Sequence, residues 1–441
     1  MDIFHNPKLS KKCVAVGLSQ KTYITPMVYR LLTTIVVLFW CATCWSQVNV
    51  AAVDVDTSTN QNEFYDIQPL NSSTMLVIGV RSPDAPTVSK AMRSANPKFT
   101  MFNFLAEVNH KGKVQREIDL PIGTTNTILS TVVVSEDHIF VAGRTRQGRS
   151  DYLLLAGFDK QYNLLWIDSM KHHGIIYEMK LTNDGKLIAC GLFNHQIVVC
   201  NLDTDGTWNW YKTYASDKDG GWNEAFGVEV TSDAYFVAGS IANQRQENYG
   251  ILAINPAGEK LFEKTYSPER SEASAIAACG NNYVVAGQYS CYQKNGYLLK
   301  ITPKGDTIFT TLFEGSDFNL NTVRSLTKEQ RADSSYMSTL GKGLEVKPWD
   351  MLALPNEEVL VLCNVSYYVQ PLYSQYKAQT IGLFHFSSTG KLIKRSVLKH
   401  GSKFSAKALI KTSDNNYLVV VNQKKPKKGL ILSVNLKDLF D

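Results

Sequence analysis

The chain has 441 residues, 44% of them apolar and only 20% charged, which is ample for a large buried core and unlike a disordered chain. Its formal charge of +6 is loaded at the front: Lys8, Lys11, Lys12, Lys21 and Arg30 face only Asp2 within residues 1–46, leaving 41 of the 46 basic residues against 39 of the 40 acidic ones. With that balance, and no Lys/Arg stripe interleaved with aromatics, composition argues against nucleic acid as a partner.

Residues 27–46 read as a secretory leader. Met27-Val-Tyr-Arg30 is a short basic start, Leu31 to Trp45 is an uncharged apolar run, and Cys44-Trp45-Ser46 is a small-x-small cleavage site before Gln47. The run falls short of the roughly 20 residues that span a bilayer, so export is expected, with an uncleaved anchor as the alternative. Residues 1–26 are polar and unlike a leader start, which makes Met27 a candidate true start. The mature chain is expected to be periplasmic, cell-surface or secreted, monomeric, and without a stable membrane span. Beyond residue 46 stand Cys190, Cys200, Cys279, Cys291 and Cys363. An odd, sparse set is not a disulfide scaffold. Cys190 and Cys200 flank a turn at His195, which leaves a cross-strand disulfide open beside two buried thiols.

From Gln47 on, one phrase recurs, an apolar strand expected to end in Gly. It reads Thr74-Met-Leu-Val-Ile-Gly79, His138-Ile-Phe-Val-Ala-Gly143, Lys186-Leu-Ile-Ala-Cys-Gly191, Ala234-Tyr-Phe-Val-Ala-Gly239 and Asn282-Tyr-Val-Val-Ala-Gly287, the last four glycines 48 residues apart. Equal spacing marks a repeat protein. Residues 222–266 give the clearest copy. Asn223–Val230 is a first strand, Tyr235–Ser240 a second ending near its Gly, Tyr249–Ile254 a third and Lys260–Tyr266 a fourth. The turn between third and fourth strands also repeats, as Asn109-His-Lys-Gly112, Asp203-Thr-Asp-Gly206, Asn255-Pro-Ala-Gly258, Thr302-Pro-Lys-Gly305 and Ser387-Ser-Thr-Gly390, with Asp159-Lys-Gln-Tyr-Asn163 lacking the Gly. Asn or Asp opens such a turn by side-chain hydrogen bonds and Gly takes the positive φ.

Seven copies begin near Glu63, Thr127, His173, Trp222, Arg270, Lys347 and Ser405, with Cys363 and Val421 at the Gly position of the last two. An insertion near 317–345 and a hairpin carrying Tyr367, Tyr368, Tyr373 and Tyr376 break the pattern. The seventh copy lacks its fourth strand, and Val48–Val55 is an orphan strand at the front. The expected fold is therefore all-β: a seven-bladed β-propeller of four-stranded antiparallel blades over residues 47–441, closed by the N-terminal strand.

These apolar strands with Gly, polar hairpins and D-or-N-x-x-G turns resemble the repeats of bacterial exported β-propeller proteins, the quinoprotein-like and delta-60-like repeat groups of Bacteroidetes type. The resemblance spans residues 48–441. It implies the fold and a range of binding scaffolds and cell-surface proteins, without a single activity.

Chemistry is sparse. Asp159…Trp166 and Asp203…Gly206…Trp210 resemble the quinoprotein repeat turn, but the Trp recurs in only two copies and no vicinal cysteine pair is present. Asp203-Thr-Asp-Gly-Thr-Trp208 only approximates a sialidase Asp-box. Asn201–Gly206 mimics half an EF-hand loop, but Lys212 stands where a carboxylate is required. His172 and His173 are adjacent, without a third ligand for zinc. No catalytic residue, metal or cofactor is expected.

Ligands of such rings sit at a channel mouth, near the starts of the innermost strands. The candidates there are His173, Trp222, Glu224, Arg270, Glu272, Trp349 and Asp350, an aromatic and charged set suited to a carbohydrate or a protein. Thirteen residues before the Gly position stand Asp66, Ser130, Glu178, Phe226, Ser274, Asp350 and Ala408. If that row faces the channel, Asp66, Glu178 and Asp350 form an acidic ring. The expectation is a binding module, with a carbohydrate-active hydrolase or lyase using the mouth carboxylates as the alternative.

Overall fold

The computed structural model describes residues 51–53, 62–82, 101–122, 127–147, 150–214, 223–243, 246–266, 271–289, 295–314, 344–368, 376–399, 404–413, 416–424 and 427–437. The expected leader over 1–46, nearly all of the insertion at 317–345 and residues 369–375 of the Tyr-rich hairpin lie outside them.

Seven four-stranded antiparallel blades form a closed β-propeller. Blade 1 runs through Asn62–Pro69, Thr74–Arg81, Phe102–Asn109 and Val114–Asp119, from the innermost strand outward. The inner strands of blades 2, 4, 5, 6 and 7 are Thr127–Val134, Glu224–Val230, Glu272–Cys279, Leu344–Ala353 and Phe404–Ser413. Leu164–Leu181 serves two blades: up to His173 it pairs as the outer strand of blade 2, and from Gly174 it is the inner strand of blade 3. Blade 7 has three strands of its own, and Ala51–Val53 supplies the fourth by pairing antiparallel with Ile431–Ser433. The orphan front strand and the short seventh copy thus complete one another.

The core is divided among seven apolar clusters, one at each seam between neighbouring blades. The last joins blade 7 to blade 1 through Leu418, Val420 and Ile431 against Phe64, Val77 and Ala106. A blade is buried on both faces, which is why its middle strands are continuous apolar runs. Cys190 lies in the seam between blades 3 and 4 and Cys200 in that between blades 2 and 3, on opposite faces of one sheet. Cys190 pairs with Val199 and Cys200 with Ala189, and both cysteines are free and buried.

The repeated turns form as expected. The amide of Gly112 donates to Asn109 O at 2.8 Å, with φ +80°, while Asn109 Oδ1 accepts from the amides of Lys111 and Lys113. Outer-strand side chains then hold the turn of the next blade: Trp166 Nε1 donates to Thr204 O at 2.9 Å and Trp210 Nε1 to Pro256 O at 3.0 Å. The two tryptophans are seam fasteners between blades.

The recurring Gly differs from expectation. It does not end its strand; His138–Gln147, Leu187–Phe193, Tyr235–Asn243 and Asn282–Tyr289 all run on past it. Its cause lies on the neighbouring inner strand, where every blade has a bulge. The bulge pushes a backbone carbonyl towards the Gly: a Cβ there would lie 2.1 Å from Ile128 O at Gly143, 2.0 Å from Ile175 O at Gly191 and 1.9 Å from Glu224 O at Gly239. In these blades a side chain at that position would collide with the carbonyl, so Gly stands there, whereas blades 6 and 7 take Cys363 and Val421 opposite their bulges.

Candidate functional site

A bulge sets two successive side chains on one face of a strand. Here that face lines the central channel, a cavity of about 780 Å³. The seven bulged residues are Tyr65, Ser130, Tyr177, Phe226, Ser274, Trp349 and Lys407, one per blade, and all line the channel. The next residue inward in each blade is Asp66, Thr131, Glu178, Gly227, Ala275, Asp350 and Ala408. Counting thirteen back from the Gly position mixes these two rows. The reason is hairpin length: Asp66 pairs with Ile78, twelve residues on, whereas Thr131 pairs with Ala142, eleven on. Ser130, Phe226 and Ser274 therefore belong with the bulged row, and the carboxylates sit one step deeper.

Asp66, Glu178 and Asp350 all line the channel, and all make the same bond. Asp66 Oδ2 accepts the amide of Val132 at 3.0 Å, Glu178 Oε2 that of Val228 at 2.9 Å, and Asp350 Oδ2 that of Leu409 at 2.7 Å. Each acceptor is on one blade and each donor two residues past the bulge of the next. Asp66 Oδ1 and Asp350 Oδ1 accept the amides of Ile67 and Met351, both at 2.7 Å. Glu178 Oε1 lies 3.7 Å from Lys180 Nζ, which itself donates to Glu229 at 2.7 Å.

Burial pushes the Glu178 carboxyl up to about 7, opposed by the Lys180 charge and the Val228 amide and reinforced by Asp350. Burial likewise raises Asp350 to about 6, against the Leu409 and Met351 amides and with Asp66 adding to the rise. Asp66 is raised for the same first reason. Burial works against the Lys180 charge, but Glu178, Glu229 and Asp350 hold its ammonium up at about 12.

At the mouth where the inner strands begin, acids and bases mesh with rings. Tyr65 Oη donates to Glu63 at 3.0 Å and Tyr177 Oη to Glu224 at 3.2 Å, and Lys347 pairs with Glu272. Lys407 Nζ stands 4.6 Å from the Trp349 ring centre and 5.0 Å from that of Tyr65, a cation between two π faces. The Tyr177 and Phe226 rings meet at 5.0 Å.

Of the residues marked from sequence, the structure brings Glu224, Glu272, Trp349 and Asp350 to this channel and its rim. Trp222 and Arg270 lie outside the described residues, as does the side chain of His173, whose backbone pairs with Tyr152 where blade 2 passes into blade 3. Tyr65, Arg144, Tyr177, Lys347 and Lys407 were not marked. The signal for the positions of two of them, Tyr65 and Tyr177, was present, since each Gly phrase announces a bulge opposite, but the hairpin length had to be known to count back to it. Asp203 and Asp205 take turn roles, accepting from Asn209 Nδ2 at 3.1 Å and the Thr207 amide at 2.8 Å.

No protein-family model matches the chain, and no curated protein matches it. Among solved structures it is similar to virginiamycin B lyase from Staphylococcus aureus, 10% identical with a TM-score of 0.49 over 88% of this chain and 99% of that one. It is similar also to the β-propeller domain of the Trilobed protease from Pyrococcus furiosus, 11% identical, TM-score 0.46, over 87% and 98% of the two chains. A third similarity is to YCF48 bound to D1 peptide, 10% identical, TM-score 0.48, over 88% and 95%. Identities this low transfer no function.

Proposed function

We propose that the chain is an exported binding module whose propeller takes a carbohydrate or protein ligand at the channel mouth. One observation carries the reading: seven bulges turn a row of side chains into the channel, and that row includes four aromatics and a lysine beside the charged rim of Glu224, Glu272 and Lys347. Such a concave surface with convergent polar groups is the usual form of a ligand site. The deeper carboxylates are engaged by backbone amides of the next blade, which weighs against the hydrolase or lyase alternative. An acid–base pair needs one carboxyl free to move a proton to substrate.

Two measurements test this reading. Arrays of glycans and peptides probed with the mature protein should return a ligand, and Trp349→Leu should weaken its binding at least tenfold. Turnover of a retained glycan that disappears in both Glu178→Gln and Asp350→Asn would favour the enzyme instead. Export is checked separately: cell fractionation followed by N-terminal sequencing should return Gln47 as the first residue.

A further inference from the structure

We infer that the ligand is a neutral saccharide, its terminal sugar ring held in a slot between two aromatic arcs of the bulged row. This deepens the binding-module reading and rests on it. In a ring of seven, blade 7 stands opposite the seam between blades 3 and 4. The bulged row therefore places Trp349, Lys407 and Tyr65, on blades 6, 7 and 1, across the channel from Tyr177 and Phe226 on blades 3 and 4. In that row the flanks between these arcs carry Ser130 and Ser274, with Arg144 of blade 2 also lining the channel. Seven like side chains would leave a round hole. This set leaves a slot with π-walls on two sides and small residues on the others.

A sugar ring has the complementary form, with apolar C–H faces and a polar equator. The walls meet the faces, and the polar groups below and beside them meet the hydroxyls. The oxygens of Glu178 and Asp350 each hold one backbone amide or a lysine, and a carboxylate oxygen has a second lone pair to accept a sugar hydroxyl, whereas Asp66 is already engaged by the Val132 and Ile67 amides and the Thr131 hydroxyl. Ser274 Oγ, on one flank, is buried without a hydrogen-bond partner. Charge supports a neutral ligand. The channel is lined by five carboxylates and four cations, so no strong net field selects an anion or a cation. A cavity of about 780 Å³ is in the range that small-molecule sites take, about 300–1,000 Å³, and is enough for a sugar end but not for a folded partner.

The test titrates the mature full chain with three probe sets: neutral mono- and oligosaccharides, uronic-acid oligosaccharides, and acidic and basic peptides. Calorimetry and tryptophan fluorescence are the readouts. Neutral saccharides are expected to bind saturably, to perturb tryptophan emission, and to lose at least tenfold in affinity in Tyr177→Leu and Trp349→Leu. Because a leucine in the wall threatens folding, Trp349→Phe is run beside them; it should abolish the emission change while costing less affinity than Trp349→Leu. Peptide or uronate binding that falls in these variants, with no neutral saccharide bound, would overturn the saccharide and leave the mouth as the binding site. Saccharide binding untouched in all three variants would overturn the slot and the mouth together. No binding by any probe overturns the saccharide.

Discussion

At the residue scale the recurring Gly is the most constrained position. Gly239 would bring a Cβ to 1.9 Å from Glu224 O, whereas Gly185 has nothing within 4 Å and a φ of +78°. Gly239→Ala must displace the bulge and is expected to cost on the order of 3–5 kcal/mol; Gly185→Ala should cost only about 1 kcal/mol of backbone strain. Denaturant unfolding of the two variants side by side checks the contrast. A second prediction concerns Glu178. Its folded pKa, about 7, is above the 4.5 of an ordinary glutamate, so between those values the folded state binds the extra proton. Stability is therefore greatest below about 4.5 and falls as pH rises through 7, by at most about 3 kcal/mol from this group. Glu178→Gln keeps an oxygen for the Val228 amide and should flatten that slope in melts taken from pH 4.5 to 7.5. The sequence showed which residues repeat but not what they repel or accept. The Gly was legible as a mark, while its cause, a carbonyl on another strand, is invisible in one dimension. The three carboxylates were legible as a set, yet the row drawn through them misplaced Ser130, Phe226 and Ser274, because blades 2, 4 and 5 have a hairpin one residue shorter than the other four. Tyr65 and Lys407 could not be picked out by residue type, because the bulged row repeats a position and not a kind of side chain.

At the element scale neighbouring blades are fastened at three radii, different seams using different ones. Outermost, Trp166, Trp210, Tyr266 and Thr311 hold the following blade's turn, with Tyr266 Oη donating to Gly305 O at 2.8 Å and Thr311 Oγ1 to Gly390 O at 2.8 Å. Innermost are the three carboxylates. Between them lies an asparagine clasp on the residue before the next blade's bulge: from blade 1, Asn103 Oδ1 accepts the Leu129 amide and its Nδ2 donates to Thr127 O, both at 3.3 Å. Asn364 and Asn422 follow Cys363 and Val421 directly, and Asn364 Oδ1 accepts the Ala406 amide at 2.8 Å. Asn422 does more: its Oδ1 accepts the Phe64 amide and its Nδ2 donates to the Phe64 carbonyl, both at 2.8 Å and both buried. The clasps of blades 6 and 7 start beside the positions without the Gly, and the second joins the last blade to the first. Asn422→Leu would strand an amide and a carbonyl in the core, an expected loss of about 2–4 kcal/mol. Asn435→Ala removes a half-buried side-chain bond to Asn416 at the far end of the same sheet and should cost under about 1 kcal/mol. Urea midpoints for both variants decide whether the clasp or the sheet as a whole carries the effect.

At the scale of the whole molecule the ring is closed by the N-terminal strand, of which Ala51–Val53 are described. Among the described residues, Ala51–Val53 pairs with Ile431–Ser433, and the blade's own second and third strands pair over nine residues. Without it, Lys427–Asn435 becomes an open sheet edge, with unpaired amides and carbonyls next to the seam that carries Asn422. The sequence made this closure legible because the missing strand and the orphan strand are complementary in number, and because strand-length runs survive any change of loop. Deleting residues 47–56 should lower the melting temperature by about 10 °C or more and expose the edge to self-association, read by calorimetry and light scattering. A general loss of material would give the same result, so a second chain is needed. Ala51–Val53 runs antiparallel to Lys427–Asn435, so the deleted segment can be returned after residue 441 on a short Gly-Asn turn, forming a hairpin with the strand it already pairs. If ring closure is what the segment supplies, this permuted chain regains the melting temperature, and a scrambled segment in the same place does not. Equal recovery by the scrambled segment would show that the rim needs covering and not pairing.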